Sequence, residues 1–220
     1  LEGVEVWYNH GGECQVQEEQ AMSTATLEPT TTTKTATAAS PLNGEALYEV
    51  VNGQRVELPP MTILAAMTAS EIYGSLHHYC RTSKAGRAVS EGLFVLDPAE
   101  KLRRRPDVAF VSKERWPLDR PLPSSGDWEV VPDLAIEVIS PNDLFEEVLA
   151  KKNEYFRYSV REVWIVSPLH RQVLIHETPG RCRSLGVNDE LSSVKLLPGF
   201  SQPLADVFPA YSPVAATSGP

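Results

Sequence analysis

The sequence predicts an α/β protein whose mixed central sheet is flanked by helices. Three observations carry that expectation. Helical periodicity runs over about 62–82 and 143–158, apolar strand-like stretches lie between and after those segments, and an Asn-Gly pair marks a hairpin where the folded part begins. A helix that follows three meandering strands and precedes another strand belongs against a sheet rather than in a bundle.

A chain of 220 residues suffices for one domain with a sizeable core. With 42% hydrophobic and 22% charged residues, its composition is that of an ordinary soluble globular protein. No apolar run approaches the ~18–20 residues of a membrane span, and no basic segment leads into a hydrophobic one near the start. Neither membrane insertion nor a secretory signal is therefore expected. Cys14, Cys80 and Cys182 are odd in number and far apart, which fits neither a disulfide framework nor a CxxC metal pattern. A reducing, cytoplasmic setting is the expectation.

Taken in order, residues 1–44 read as a disordered tail. Within it, 23–41 (STATLEPTTTTKTATAASP) lacks aromatic residues and cannot bury enough apolar surface to offset its ordering entropy. Residues 1–21, ahead of Met22, read as an upstream translation artefact or a cloning remnant. The folded domain is expected over 45–210, followed by a loose tail at 211–220. Residues 47–58 (LYEVVNGQRVEL) give two short strands around Asn52-Gly53, both of which tolerate positive φ. A helix follows, capped by Thr62, with Ile63, Met67, Ile72, Leu76 and Tyr79 on its apolar face.

Strands are expected at 88–96, 107–112 and 133–139. Between the last two, Pro117, Pro121, Pro123 and Gly126 mark an exposed loop. A helix from about 143 to 158 takes Asn142 or Asp143 as its cap. Further strands are expected at 162–167 and 172–177, with a short pair around 182–197. Leu197, Phe200, Leu204 and Phe208 are expected to pack a closing segment onto the domain.

Two acids stand out against this frame. Asp107 opens a strand. Glu137 lies inside DLAIEVI, sharing a face with Ala135 and Ile139, while Leu134, Ile136 and Val138 take the other face. Both faces are apolar, as in a sheet covered on both sides. A carboxylate there needs a metal ion, a lysine or a proton to compensate it, unless it sits at a wet end of the sheet. On the next helix, Leu144, Val148, Lys151 and Tyr155 form one stripe and Phe145, Leu149, Lys152 and Phe156 the adjacent one. A lysine on that face either snorkels outward or points at the carboxylates, where it would stabilise charge on a phosphate. Glu147 could alternatively pair with Lys151 along the helix.

The net charge of −9 argues against a general nucleic-acid coat protein. It does not exclude an enzyme that gathers carboxylates around a metal and uses a local basic strip for phosphates. Lys101, Arg103, Arg104 and Arg105 form such a strip, or else a solvated charge run.

The stretches RRRPDVAFVSKER (103–115), VPDLAIEVISPND (131–143) and AKKNEYFRYSVREVWIVSP (150–168), in this order, resemble the Uma2 family, also called DUF820. These are restriction endonuclease-like proteins of the PD-(D/E)XK nuclease superfamily. The hairpin at 47–60 and LPGFSQPLADVF at 197–208 are similar as well, so the likeness covers about 45–210. It implies a phosphodiesterase with Asp107, Glu137 and Lys151 as catalytic residues. The ligands of a Mg²⁺ or Mn²⁺ ion would be Asp107, Glu137 and the Val138 carbonyl. The superfamily pattern places lysine two residues after the second acid, where this chain has Ile139. In the family the lysine comes from the following helix, four residues before a tyrosine, which selects Lys151. Helical phase alone places Lys152 nearer the middle of the apolar face. Ser159 stands where the family often has glycine, and Ser167 where it often has aspartate. Glu49, Glu57 and Glu91 are further acids that could join the site or lie on the surface.

The function expected first is a metal-dependent endonuclease acting on DNA. A catalytically inactive nuclease fold that binds nucleic acid or a protein partner is the alternative, and RNA is a third, weaker substrate class. A homodimer is expected by likeness, since many nucleases of this fold cut duplex DNA as pairs. No Gly-x-Ser-x-Gly, HExxH, P-loop or GxGxxG sequence points to another enzyme class, and the five histidines show no ligand spacing.

Overall fold

Alternation along the central strands sets the layers of the molecule. The computed structural model describes residues 13–14, 46–124, 126–141 and 143–210. The strands are β1 (Glu13–Cys14), β2 (Tyr48–Val51), β3 (Gln54–Glu57), β4 (Gly86–Ser90), β5 (Phe94–Asp97), β6 (Leu102–Arg104), β7 (Val108–Ser112) and β8 (Leu134–Val138). They continue with β9 (Glu162–Ser167), β10 (Gln172–Thr178), β11 (Arg181–Gly186), β12 (Glu190–Ser193) and β13 (Leu197–Pro203). The helices are α1 (Ile63–Ser83), α2 (Phe145–Arg157) and the short α3 (Leu204–Val207).

Seven strands make the main sheet, in the order β1-β11-β10-β9-β8-β7-β4. Its pairings are antiparallel except β8 with β9. A parallel pair needs a long crossover, and α2 supplies it. The chain is thus mixed α/β, as the sequence predicts. Val108, Phe110, Leu134, Ile136, Val138, Trp164 and Val166 face one layer, packed under α1 and the closing segment. Ala109, Val111, Ala135, Val163 and Ile165 face the other, with Tyr155 of α2 and Phe94, Leu96 and Leu102. A second sheet, β3-β2-β6-β5, supplies those last three residues and lies on the α2 side.

The Asn-Gly hairpin forms as expected, with Asn52 at φ 53° and Gly53 at φ 76°. Thr62 caps α1 by accepting the Ala65 N–H at 3.2 Å. Leu197, Phe200, Leu204 and Phe208 are buried, as expected of the closing segment. The buried face of α1 differs from the expected one: it carries Ala65, Thr68, Ala69, Ile72, Leu76 and Cys80, while Ile63 and Met67 are exposed. Small residues line the helix where it packs on the sheet, and a pattern of large apolar residues misses them.

Other segments also depart from expectation. The stretch 88–96 is two strands in different sheets, β4 and β5, broken at Glu91 with φ 51°. The long linker is anchored rather than simply exposed, because Trp128 is buried in a stack on Phe94 and Trp116 packs edge-on against Trp128. Leu144 is the N-cap residue of α2 and makes no side-chain cap bond; Asp143 accepts the Ser140 N–H instead, and Asn142 lies outside the described residues. Leu144 and Phe145 are exposed, so only the later turns of α2 reach the core. The strands within 182–197 do not pair together: β11 pairs with β10, and β12 with β13.

Within the expected tail, Glu13–Cys14 pairs with β11, and the rest of 1–44, like 211–220, lies outside the described residues. Cys80 is a buried free thiol. No described helix is long and apolar enough to cross a membrane.

Ser159 ends the turn after α2 at φ 71°, a conformation that costs an L-residue about 1–2 kcal/mol. That explains why glycine suits the position. Ser159→Gly is expected to raise stability by about 0.5–1 kcal/mol, since relief of strain outweighs the extra freedom of the unfolded chain. Urea denaturation checks this, and a lower midpoint for the glycine variant would count against the assigned backbone conformation.

Candidate active site

The register of β7 against β8 places Asp107. Val108 lies opposite Ile136, so Val138 projects past the start of β7. Its N–H would lack a strand partner there, and the Asp107 carboxylate takes it: Oδ2 accepts the Val138 N–H at 2.6 Å. N–H and C=O of one strand residue point to the same side, so the Val138 carbonyl faces the same space.

Glu137 points into the layer beneath α2, on the face of Ala135 and Ile139, as its alternation requires. Its side chain is only 13% exposed, and α2 satisfies it. The Lys151 ammonium lies 3.2 Å from Oε2, and the Tyr155 hydroxyl donates to Oε1 at 2.6 Å. Those donors are four residues apart, one helical turn, on the same face of α2. Lys151 also lies 3.0 Å from Oε1 of Glu49, a β2 residue, so it reaches across to the strands rather than along its helix to Glu147. Glu49 in turn accepts from Arg104 Nη1 at 2.6 Å and from the Arg105 N–H at 3.0 Å. Arg104 ends the chain of contacts on Glu154 of α2, at 2.5 Å.

Three carboxylates, those of Glu137, Glu49 and Glu154, thus share the two cations Lys151 and Arg104, and Asp107 feels the charge of Lys151 without pairing with it. Burial, then the charge of Glu137, pushes the Asp107 carboxyl up to about 7, against the opposing pull of the Val138 N–H and Lys151. Burial also holds Glu137 above the usual carboxylate range, although Lys151 and Tyr155 pull it down. At Glu49 burial raises the value, but Lys151 and Arg104 outweigh it and the net shift is downward. Burial opposes the charge on Lys151, yet Glu137 and Glu49 prevail and raise its value, so the group stays an ammonium ion at neutral pH.

The three residues singled out in the sequence therefore come together, and Glu49, which the sequence left open, joins them. It comes from the other sheet, so no spacing in the chain announces it; a glutamate on an otherwise apolar hairpin strand is the only signal. Glu57 is exposed on β3. Glu91 adds to the repulsion felt by Asp107. Lys152 is buried but turns away, donating to the Pro179 carbonyl at 2.9 Å. Helical phase correctly finds the more buried lysine, and the motif finds the one beside the acids.

Of the expected basic strip, Lys101 is exposed, while the three arginines are engaged within the protein. Arg103 pairs with Asp127, Arg104 with Glu49 and Glu154, and Arg105 donates to the carbonyls of Tyr48 and Glu91. These guanidinium groups tie β6 to its surroundings because the strand is interior to the second sheet.

Among the described residues, no three His, Cys, Asp or Glu side chains are grouped as a metal-holding set. The oxygen donors available to an ion are the carboxylates of Asp107 and Glu137 and the Val138 carbonyl. That set fits Mg²⁺ or Mn²⁺, hard ions that take oxygen ligands, with Mg²⁺ keeping several waters beside one or two carboxylates. Burial first, and then the charge of Glu137, raises the Asp107 carboxyl, and a divalent cation there would favour its ionised form.

A family model described as "Uma2: Putative restriction endonuclease" matches residues 37–207. None of the curated proteins matches the chain. Among solved structures, this fold is similar to that of a "putative nuclease belonging to DUF820" from Anabaena variabilis, with a TM-score of 0.60 and 15% identity. The likeness covers 73% of this chain and 89% of that one, and at such identity it establishes the shared fold alone.

Asp107 gives a pH dependence of definite sign. Its folded value, about 7, lies above the ordinary 3.8, so between those limits the metal-free folded protein holds a proton that the unfolded chain has lost. Stability contributed by the protonated group is present at low pH and lost as pH rises toward 7. Asp107→Asn cannot ionise, so its stability relative to wild type is expected to improve between pH 5 and pH 8. The gain should be at least about 1 kcal/mol, even discounted for partial solvent screening. Urea denaturation in chelator measures it, and a difference that does not change with pH would contradict the site's electrostatics.

Proposed function

The chain belongs to the Uma2 family of putative restriction endonucleases, and on that footing we propose that it is a Mg²⁺- or Mn²⁺-dependent endonuclease that hydrolyses phosphodiester bonds of DNA. The observation that carries this reading is the Lys151 ammonium, 3.2 Å from Glu137, the residue next to the Val138 N–H that pins Asp107. Two acids and a fixed cation at one point are what phosphoryl chemistry needs.

Asp107, Glu137 and the Val138 carbonyl would hold the ion. Once bound, a divalent ion polarises a phosphate oxygen and lowers the pKa of a coordinated water. The protein's own groups do the rest. The Val138 N–H fixes one oxygen of Asp107, and Tyr155 and Lys151 each fix one oxygen of Glu137, leaving further lone pairs free for ligation. Lys151 is held in its charged form, so it is not the base. It is a preorganised cation that neutralises charge growing on the phosphate and can orient the attacking water by hydrogen bonding. The buried layer around Tyr155 excludes bulk water from one side, which strengthens both effects.

The test incubates purified protein with plasmid, single-stranded DNA and RNA in Mg²⁺ or Mn²⁺. Wild type is expected to cleave DNA, and Asp107→Asn, Glu137→Gln and Lys151→Met to lose about 10²–10³-fold or more in rate. Equal cleavage by the variants would indicate a contaminant or a different site, and binding without cleavage would identify an inactive nuclease fold.

A further inference from the structure

Glu49 is more enclosed than either cation it touches: its side chain is 2% exposed, against 10% for Arg104 and 21% for Lys151. Its oxygens are also nearly filled. Oε1 takes the Arg105 N–H and the Lys151 ammonium, each at 3.0 Å, and Oε2 takes Arg104 Nη1 at 2.6 Å. A metal ion could claim Oε1 only by displacing one of those donors, because a carboxylate oxygen has two lone pairs. The arrangement therefore suits holding a cation in place better than ligating a metal.

What it holds is the end of a flexible chain. A lysine side chain with one acidic partner can pivot about that contact, and its ammonium is a point charge without the fixed fork of arginine. Lys151 has two partners, from different sheets: Glu137 of β8 and Glu49 of β2. Glu49 is in turn locked by Arg104, which returns to α2 at Glu154, three residues after Lys151. The contacts close a loop between the hairpin sheet and the helix that carries the lysine.

We propose that Glu49 is a positioning residue: it fixes the Lys151 ammonium beside Glu137 and acts on phosphodiester cleavage only through that lysine. This rests on the role given to Lys151 in the preceding subsection. Glu49→Gln keeps the shape but offers an oxygen to one cation and an NH₂ group to the other, so one of the two contacts must fail. A misplaced catalytic group costs on the order of 10²-fold.

Four measurements on the full chain test this. Steady-state cleavage of plasmid DNA by Glu49→Gln should show kcat reduced by about 10–100-fold with KM unchanged. Mn²⁺ affinity, read by electron paramagnetic resonance, should equal that of wild type. In a Lys151→Met background, adding Glu49→Gln should change nothing further. A crystal structure of Glu49→Gln should show the ammonium withdrawn from Glu137. Full activity in Glu49→Gln, an additive loss in the double variant, or weakened Mn²⁺ binding would each overturn the proposal, the last by making Glu49 a ligand. If Glu49→Gln folds poorly, Glu49→Asp, which keeps the charge but shortens its reach, should show the same lower kcat at unchanged Mn²⁺ affinity. Should wild type itself fail to cleave, the nuclease reading falls. The crystal structure then decides this inference alone: an ammonium still beside Glu137 refutes it, and a displaced one supports it.

Discussion

A carboxylate inside a β-strand that is apolar on both faces must be answered by other charges, and the architecture around Glu137 is organised by that requirement. Leaving it unpaired would cost several kcal/mol, roughly. The answer comes from α2, which the parallel pairing of β8 with β9 forces to cross directly over the strand. One turn of that helix delivers Lys151 and Tyr155 to the two oxygens. The connection that permits the sheet topology also completes the charge cluster.

The second sheet plays a matching part. Its hairpin and β6 cover the same side, bringing Glu49 and Arg104 onto α2 from above. Arg104 has the appearance of a nucleic-acid contact in the sequence, yet it is 8% exposed and spent on two glutamates. Buried ion pairs of this kind contribute little net stability, but they fix geometry, and breaking one leaves a costly unpaired charge. With the arginines next to Asp107 committed inward, Lys151 is the cation that touches Glu137, while burial and then the charge of Glu137 raise the Asp107 carboxyl.

Much of this was legible in the chain because period-two alternation is a strict signal. It assigned Glu137 to the face of Ala135 and Ile139, and the two core layers divide on that line. The hairpin was legible because Asn52 and Gly53 both take positive φ. What failed to show was whatever depends on long-range placement. Glu49 reaches Lys151 across a gap of about a hundred residues, a separation at which no local pattern operates. The break at Glu91 was hidden inside a run that reads as one strand, and the burial of Trp116 and Trp128 inside a proline-rich loop. Helix phase misjudged α2 because its first turn extends past the core, leaving Leu144 and Phe145 in solvent.

On the proposed function, two acids, a strand carbonyl and a twice-held lysine form one ion-binding centre. A crystal of the protein soaked in Mn²⁺, examined by anomalous scattering, tests it most directly. One peak is expected, touching Asp107, Glu137 and the Val138 carbonyl, with the Lys151 ammonium still between Glu137 and Glu49. Manganese bound elsewhere, or a Lys151 side chain turned out to solvent while those acids stay empty, would contradict it.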